Sequence, residues 1–342
     1  MILSGGSGRR LWPASRPHRP KPFLTLVGED TAFGGALRRI AALTGAAPPT
    51  VIAGLAHEDH VRAALDGTDA LLLLEPEARD TAPAMTAAAL LLCERDPGAV
   101  LLFLPADHHV PDAEAFAVSV AAAVRMAQDG WIATLGLKPE GPSAAYGYIR
   151  PGRREDERLS VAAFIEKPSP ARAATLIAEG CLWNCGVFAC RADVLIEEMA
   201  RHAPAVLDAA RSAVAEAKYL VDAILLGPSF HDAPRLSFDH AVMEKTDRAV
   251  VEPAAFAWSD LGAWDAVLAA SERDAAGNST AGAVVLESAS GCIVRAAHGI
   301  TVAVVGASHL AIIADADGIM ICDLDSGHHV RKAVDRVSGG RR

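Results

Sequence analysis

The stretch MILSGGSGRRLWPASRPHRPKPFL, residues 1–24, sets Gly5, Gly6 and Gly8 around Ser7 ahead of five basic residues: Arg9, Arg10, Arg16, Arg19 and Lys21. The first acidic residue of the chain is Glu29. Glycines let a backbone come close to a ligand, and the amides of such a turn line anion sites. The spacing is neither a Walker loop nor a dinucleotide fingerprint, since Leu11 stands where a third glycine is needed. An ordinary strand-to-helix turn fits the glycines alone; the cations within the same loop favour a phosphate cradle. Two carboxylates could complement it. Asp107 closes the apolar run AVLLFLPAD, and Asp260 lies in WSDLG. Paired carboxylates with phosphate oxygens and water make a typical Mg²⁺ site, although each aspartate also reads as a helix cap or turn residue. Lys167, in FIEKP at a strand end before a proline, reads equally as a solvated rim lysine.

These residues need a scaffold, and the chain has one to offer. Its 342 residues leave room for a large domain and a smaller one, and 51% hydrophobic against 22% charged residues describes a folded globular protein. The formal net charge of −10 argues against broad nucleic-acid binding, which leaves a basic footprint. From residue 1 to about 270, strand-like runs (1–3, 49–55, 70–76, 99–107, 131–137) alternate with helical stretches (58–65, 82–95, 113–128). Continuous apolar strands separated by helices predict a parallel sheet covered on both faces, with ligands at the carboxyl ends of its strands. Residues 150–160, RPGRREDERLS, read as a charged surface connection. After about 275 the texture becomes short β-runs whose even spacing suits the rungs of a small solenoid. The expected division is therefore 1–275, a β-rich 276–337, and a disordered tail at 338–342.

No cationic stretch precedes an apolar one at the start, so no secretory leader is expected. The uncharged run 296–314 holds two histidines and two glycines and reads as two strands around a turn, not a membrane span. Six cysteines without a CxxC pair read as reduced thiols in the cytoplasm. His108 and His109, like His328 and His329, lack metal-ligand spacing and read as surface residues. Trp183, Trp258 and Trp264 read as packing.

Eight ordered stretches resemble the sugar-phosphate nucleotidyltransferases, and within them the mannose-1-phosphate guanylyltransferases. They are LSGGSGRRLWPASRPHRPKPFL, LLEPEARDTAPA (73–84), LPADHHV (104–110), YGYI (146–149), FIEKP (164–168), LWNCGVF (182–188), FDHAVMEK (238–245) and WSDLGAWDA (258–266). The resemblance runs from residue 2 to roughly 330. It implies a Rossmann-like, GT-A-like α/β domain with a mixed, mostly parallel sheet flanked by helices, and a small β-helix-like C-terminal unit. It also implies in-line attack of α-D-mannose 1-phosphate on the α-phosphorus of GTP, giving GDP-mannose and diphosphate.

By the same resemblance Asp107 and Asp260 hold Mg²⁺, while Arg10 and Lys21 neutralise the triphosphate and the departing diphosphate. Gly5, Gly6, Ser7, Gly8 and Arg9 face the phosphates, and Glu75, Asp80 and Thr81 lie near the nucleotide. Lys167 holds the sugar phosphate; Glu166, Asn184 and Gly147 contact the sugar. Asn184 also reads as a plain turn residue. The sequence departs from the family at Arg9, where relatives carry threonine, at Asp80, where they carry asparagine, and at Ala144–Ala145, where they carry Thr-Gly. No nucleic acid, membrane or resident cofactor besides Mg²⁺ is expected, and a homodimer is left open. Two alternatives stay in view: another hexose 1-phosphate or nucleotide, and a non-catalytic sugar-nucleotide sensor.

Overall fold

The computed structural model describes residues 1–6, 8–156 and 158–339. In chain order its first half runs β1 (Ile2–Ser4), α1 (Ala32–Ala41), β2 (Thr50–Gly54), α2 (Glu58–Leu65), β3 (Leu71–Glu75), α3 (Thr81–Cys93), β4 (Val100–Pro105), α4 (Ala113–Gln128) and β5 (Ile132–Leu137). There follow β6 (Tyr148–Glu155), β7 (Arg158–Ile165), α5 (Pro170–Ala178), β8 (Leu182–Arg191), α6 (Ala192–His202) and α7 (Pro204–Ala215). Then come β9 (Lys218–Tyr219), β10 (Ala223–Leu225), β11 (Ala249–Ala254) and α8 (Trp264–Ala270). The last part holds β12 (Ser279–Ala281), β13 (Ala283–Glu287), β14 (Ile293–Ala296), β15 (Thr301–Val305), β16 (Leu310–Asp315), β17 (Gly318–Asp323) and α9 (Val330–Gly339). No described helix is long and apolar enough to cross a membrane; the run 296–314 forms β15 and most of β16, as its glycines and β-branched residues predict.

The chain divides into two compact units that are not consecutive in sequence. One takes Met1–Gly5, Ala36–Ala106 and Val110–Trp258; the other takes Gly6–Gly35, Asp107–His109 and the chain from Ser259 onward. In the first unit β1 lies between β2 and β4, with Ile2 opposite Val51 on one side and Leu104 on the other. The parallel run β10-β3-β2-β1-β4 continues into antiparallel β8, which pairs with β4, β5 and β6. The sheet is thus mixed, with its parallel part where the predicted β-α alternation lies. Against it packs α3, whose residues Ala82–Ala89 are all buried; a helix apolar all round belongs inside a core.

The described residues of 150–160 correct their reading as a connection: they belong to β6 and β7, which pair antiparallel with Arg150 opposite Ala163 and Glu155 opposite Arg158. Backbone groups there are satisfied across the pair, so charged side chains stay in water, and hydropathy alone cannot reveal the strands.

In the second unit β12, β14 and β16 stack in parallel, Ser279 opposite Ile293 and Ile293 opposite Ala311, while β13 pairs in parallel with β15. These are the rungs of a β-helix. Asn278 braces two of them, donating to the Ala289 carbonyl at 3.0 Å and accepting from the Cys292 amide at 2.9 Å. Val294 and Ile312 pack with Val304 between the two sheets of the β-helix, while the alternate residues Ile293 and Ile313, with Met320 and Leu324, pack against Leu11, Leu24 and Leu26 of the N-terminal loop. α9 runs to Gly339, into the stretch expected to be disordered; the expected tail beyond it lies outside the described residues.

Candidate active site

In the second unit the glycine loop and both predicted metal ligands come together. Gly6, at φ +96°, carries the loop backbone past Asp107: a Cβ there would lie 3.8 Å from Asp107 Oδ2. Gly8, at φ +54°, is hemmed in, since a Cβ would lie 2.6 Å from Ser15 Oγ and 2.7 Å from Lys21 Cβ. Lys21 is buried; its Nζ donates to Asp107 Oδ2 at 2.7 Å and to the carbonyl oxygen of Asp260. Backbone bonds between His109 and Ser259, at 2.9 and 3.0 Å, hold the segment after Asp107 against the segment before Asp260. That bridge explains how two aspartates distant in sequence meet at one ammonium. Asp260 Oδ1 accepts from the Gly262 amide at 2.9 Å. A Cβ on Gly262 would stand 2.5 Å from Asp260 Oδ2 and 2.7 Å from Arg10 Nη2, so the Arg10 guanidinium reaches the same turn.

Burial opposes ionisation of Asp107, but the Lys21 ammonium and then His108 outweigh it and hold its carboxyl below the usual range. An ionised Asp107 and an Asp260 anchored beside the same lysine offer the all-oxygen donor set that a hard divalent cation takes. His108 is not the surface residue expected from sequence: it is largely buried, with Nε2 3.8 Å from Asp107 Oδ1.

The cations of the N-terminal loop do not all gather there. Arg9, expected at the phosphates, pairs through Nη1 with Asp335 Oδ1 of α9 at 3.1 Å. Arg19 pairs with Asp315, and Arg16 Nε lies 3.7 Å from Asp317 Oδ2 while its guanidinium rests over Trp12. Arg10 and Lys21 are the loop cations that stand with the aspartates. Gly5 belongs to the first unit, and open space surrounds the position of a Cβ there. Ser7 lies outside the described residues.

The first unit assembles the remaining predicted residues. Gly147 leaves no room for a side chain, because a Cβ would lie 2.5 Å from Glu166 Oε2 and 3.5 Å from Asn184 Cβ. Its carbonyl accepts from the Asn184 amide at 2.9 Å. Glu166 is largely buried and accepts from Lys167 Nζ at 2.6 Å, while the Lys167 side chain is 66% exposed. Burial disfavours the Lys167 charge, but the bond to Glu166 and the nearby charges of Asp239 and Asp80 raise its pKa overall. Asn184 is fixed on both sides. Its Oδ1 accepts from the Gly186 amide at 3.0 Å and Thr134 Oγ1 at 3.3 Å, and its Nδ2 donates to Asp239 Oδ1 at 3.1 Å.

Glu75, at the end of β3, is buried; burial and then the Asp80 charge push its carboxyl up to about 8. It therefore carries a proton at neutral pH, and its Oε1 has no hydrogen-bond partner among the described residues. Asp80 caps α3 at φ +69° by accepting from the Thr81 amide at 2.8 Å. Thr81 Oγ1 in turn accepts from the Phe238 amide at 2.8 Å, tying the Asp80 loop to the segment that carries Asp239.

Asp239 and Thr134 are the members sequence reading missed. Asp239 opens a single π-helical turn, Asp239–Met243, a distortion often found at functional sites. Burial and then the neighbouring Glu166 raise its carboxyl to about 7, against Lys167 and His240. Its signal was its place in FDHAVMEK; that of Thr134 was a hydroxyl inside the apolar run WIATLGL. Trp183 and Trp258 pack with Tyr146, ring centroids 4.9 Å from it in each case, and Trp264 is buried in the second unit's core.

A family model described as nucleotidyl transferase matches residues 1–277, and one described as MannoseP isomerase/GMP-like beta-helix domain matches 282–337. The alginate biosynthesis protein AlgA of Pseudomonas aeruginosa is 36% identical over 342 residues, spanning 98% of this chain and 71% of its own. A mannose-1-phosphate guanylyltransferase of Sinorhizobium fredii is 37% identical over 344 residues, spanning 98% of this chain and 67% of its own. Among solved structures, that named mannose-1-phosphate geranyltransferase from Thermus thermophilus matches with a TM-score of 0.87 at 36% identity, over 98% of each chain. With the family match extending over most of its length, the chain belongs to the nucleotidyl transferase family.

Proposed function

We propose that this enzyme is a Mg²⁺-dependent mannose-1-phosphate guanylyltransferase, converting GTP and α-D-mannose 1-phosphate to GDP-mannose and diphosphate in the cytoplasm. The observation that carries this reading is the buried Lys21 bridging Asp107 and Asp260 beside a glycine loop, in a chain whose relatives include a named mannose-1-phosphate guanylyltransferase. The nucleophile in such a reaction is a phosphate oxygen that is already an anion, so positioning and charge neutralisation do most of the catalysis. Lys21 has three ammonium hydrogens; Asp107 and Asp260 take two, leaving the third for a phosphate oxygen. Arg10 adds a fixed guanidinium at the same turn, suited to the departing diphosphate. A Mg²⁺ ion held by Asp107 and Asp260 would supply the remaining neutralisation of phosphate charge. Residues 1–275 serve as the catalytic part in this reading and 276–337 as a β-helical support.

In the first unit Lys167 serves as the point charge for the sugar phosphate. Glu166 and Asn184 meet sugar hydroxyls, and Gly147 lets the sugar lie against backbone. Glu75, Asp80 and Thr81 are assigned to the nucleotide. The network-held position of Asn184 supports this division, because a donor fixed before binding loses little entropy on contact.

Purified protein with GTP, mannose 1-phosphate and Mg²⁺ is expected to release diphosphate, and Asp107→Asn to lose about 100-fold or more of that rate. Full activity in Asp107→Asn would overturn the metal assignment. Preference for UTP or dTTP, or for another hexose 1-phosphate, would overturn the choice of substrates; tight GDP-mannose binding without turnover would favour a sensor.

A further inference from the structure

Arg295 stands in the middle of the β-helical sheet, in β14, paired with Ala281 on one side and Ile313 on the other. Its side chain is half-buried, and burial pulls its pKa below the usual arginine value. No carboxylate pairs with it among the described residues. Its contacts are long and neutral: Ser279 Oγ at 3.2 Å, Ser271 Oγ at 3.4 Å and its own neighbour's carbonyl, Val294 O, at 3.3 Å. A half-buried guanidinium held by neutral partners alone forgoes part of its hydration without a counter-charge in return, and an anion would supply one. Beside it lies a cavity of about 300 Å³, lined by Arg295, Arg19, Thr25, Ala281 and Asp315 among others. Arg19 is neutralised there by Asp315, leaving Arg295 as the uncompensated charge. Alanines on the adjoining strands leave the space open.

We propose that this cavity binds a phosphate group, free or as a small monoester, with Arg295 as its principal counter-charge. Guanidinium forks match phosphate oxygens in pairs, Thr25 offers a hydroxyl among the lining residues, and the volume admits a phosphate with a small carbon body. The site is separate from the Lys21–Asp107 pair and does not depend on the proposed transfer reaction. Leu24, Thr25 and Leu26, which line it, follow closely on Lys21, so an occupant would bear on the loop that presents that lysine.

The test uses the whole protein without nucleotide, titrated with inorganic phosphate, with glucose 6-phosphate and, as control, with glucose. Melting temperature and calorimetry are the readouts, and crystals soaked in tungstate locate the anion. Saturable binding of a phosphate-bearing probe, weakened about tenfold or more in Arg295→Gln and in Ala281→Leu, which fills the cavity and leaves the arginine in place, supports the proposal. So does a tungstate peak beside Arg295. Tighter binding of glucose 6-phosphate than of phosphate points to a sugar phosphate as ligand; the reverse points to free phosphate. Removing an uncompensated charge should leave ligand-free Arg295→Gln no less stable than the wild type. Equal titrations in all three proteins overturn the proposal, and a tungstate peak with no variant-sensitive saturation means an adventitious ion only, which overturns it too. Diphosphate release, measured separately in Arg295→Gln, distinguishes a failure of this site from a failure of the transferase reading.

Discussion

At the scale of single residues, the two units hold carboxyls of opposite character. Asp107 is held ionised by Lys21, whereas burial lifts Glu75 to about 8 and Asp239 to about 7. An unfolded chain releases the latter two protons near pH 4. Between there and about pH 7–8 the folded protein binds more protons than the unfolded one, so these two groups make stability fall as pH rises through that window. Asp107 acts in the opposite sense: its contribution is present above the ordinary carboxyl range and is lost as pH falls through its depressed folded value. Replacing Glu75 and Asp239 by Gln and Asn keeps their shape and removes the titration. The double variant should gain on the order of 5 kcal/mol over the wild type at pH 9 relative to pH 5. Melting curves at the two pH values check this, and parallel shifts in both proteins would refute it. Asp107, Lys21 and Asp260 were legible from their motifs. Asp239 was not singled out, because an aspartate ahead of an apolar helical run looks like an ordinary cap until Asn184 is seen bonded to it.

At the scale of elements, the glycines of the N-terminal loop are unequal in a way their spacing conceals. Gly8 needs a positive φ, and a Cβ there would come within 3 Å of both Ser15 and Lys21, while Gly5 faces open space. Gly8→Ala should therefore cost about 2–4 kcal/mol of stability through strain and overlap and should displace Lys21, lowering the rate of diphosphate release. Gly5→Ala should fall within about 0.5 kcal/mol of the wild type. Chemical denaturation with a rate assay compares the two; equal effects would contradict the assignment. The strands and helices of the first half follow from sequence because long apolar runs have few alternatives. The β6–β7 pair escaped, since charged strands show no apolar signal, and so did α9. The spacing of Val330, Val334 and Val337 on α9 was available but lay next to a glycine-rich tail.

At the scale of the whole molecule, the N-terminal loop shares its core with the β-helix. Leu11, Leu24 and Leu26 pack with Ile293, Ile313, Met320 and Leu324, and Arg9, Arg16 and Arg19 meet Asp335, Asp317 and Asp315. A chain cut after residue 275 keeps Lys21, Asp107 and Asp260 but loses that support. It should release diphosphate at least about 100-fold more slowly, with proteolysis entering the 6–35 loop first; a truncated chain of full activity would show the loop to be self-sufficient. The sequence by itself determined the family, through its ordered motifs, and the alternation that makes a Rossmann-like sheet. These are local facts, carried by residue type and short-range spacing. Only the tertiary structure decided which charges remain available, because pairing depends on residues hundreds of positions apart. The cation-rich opening proved to hold two kinds of arginine and lysine: those paired with aspartates of the β-helix and α9, and Arg10 and Lys21, which stand beside Asp107 and Asp260.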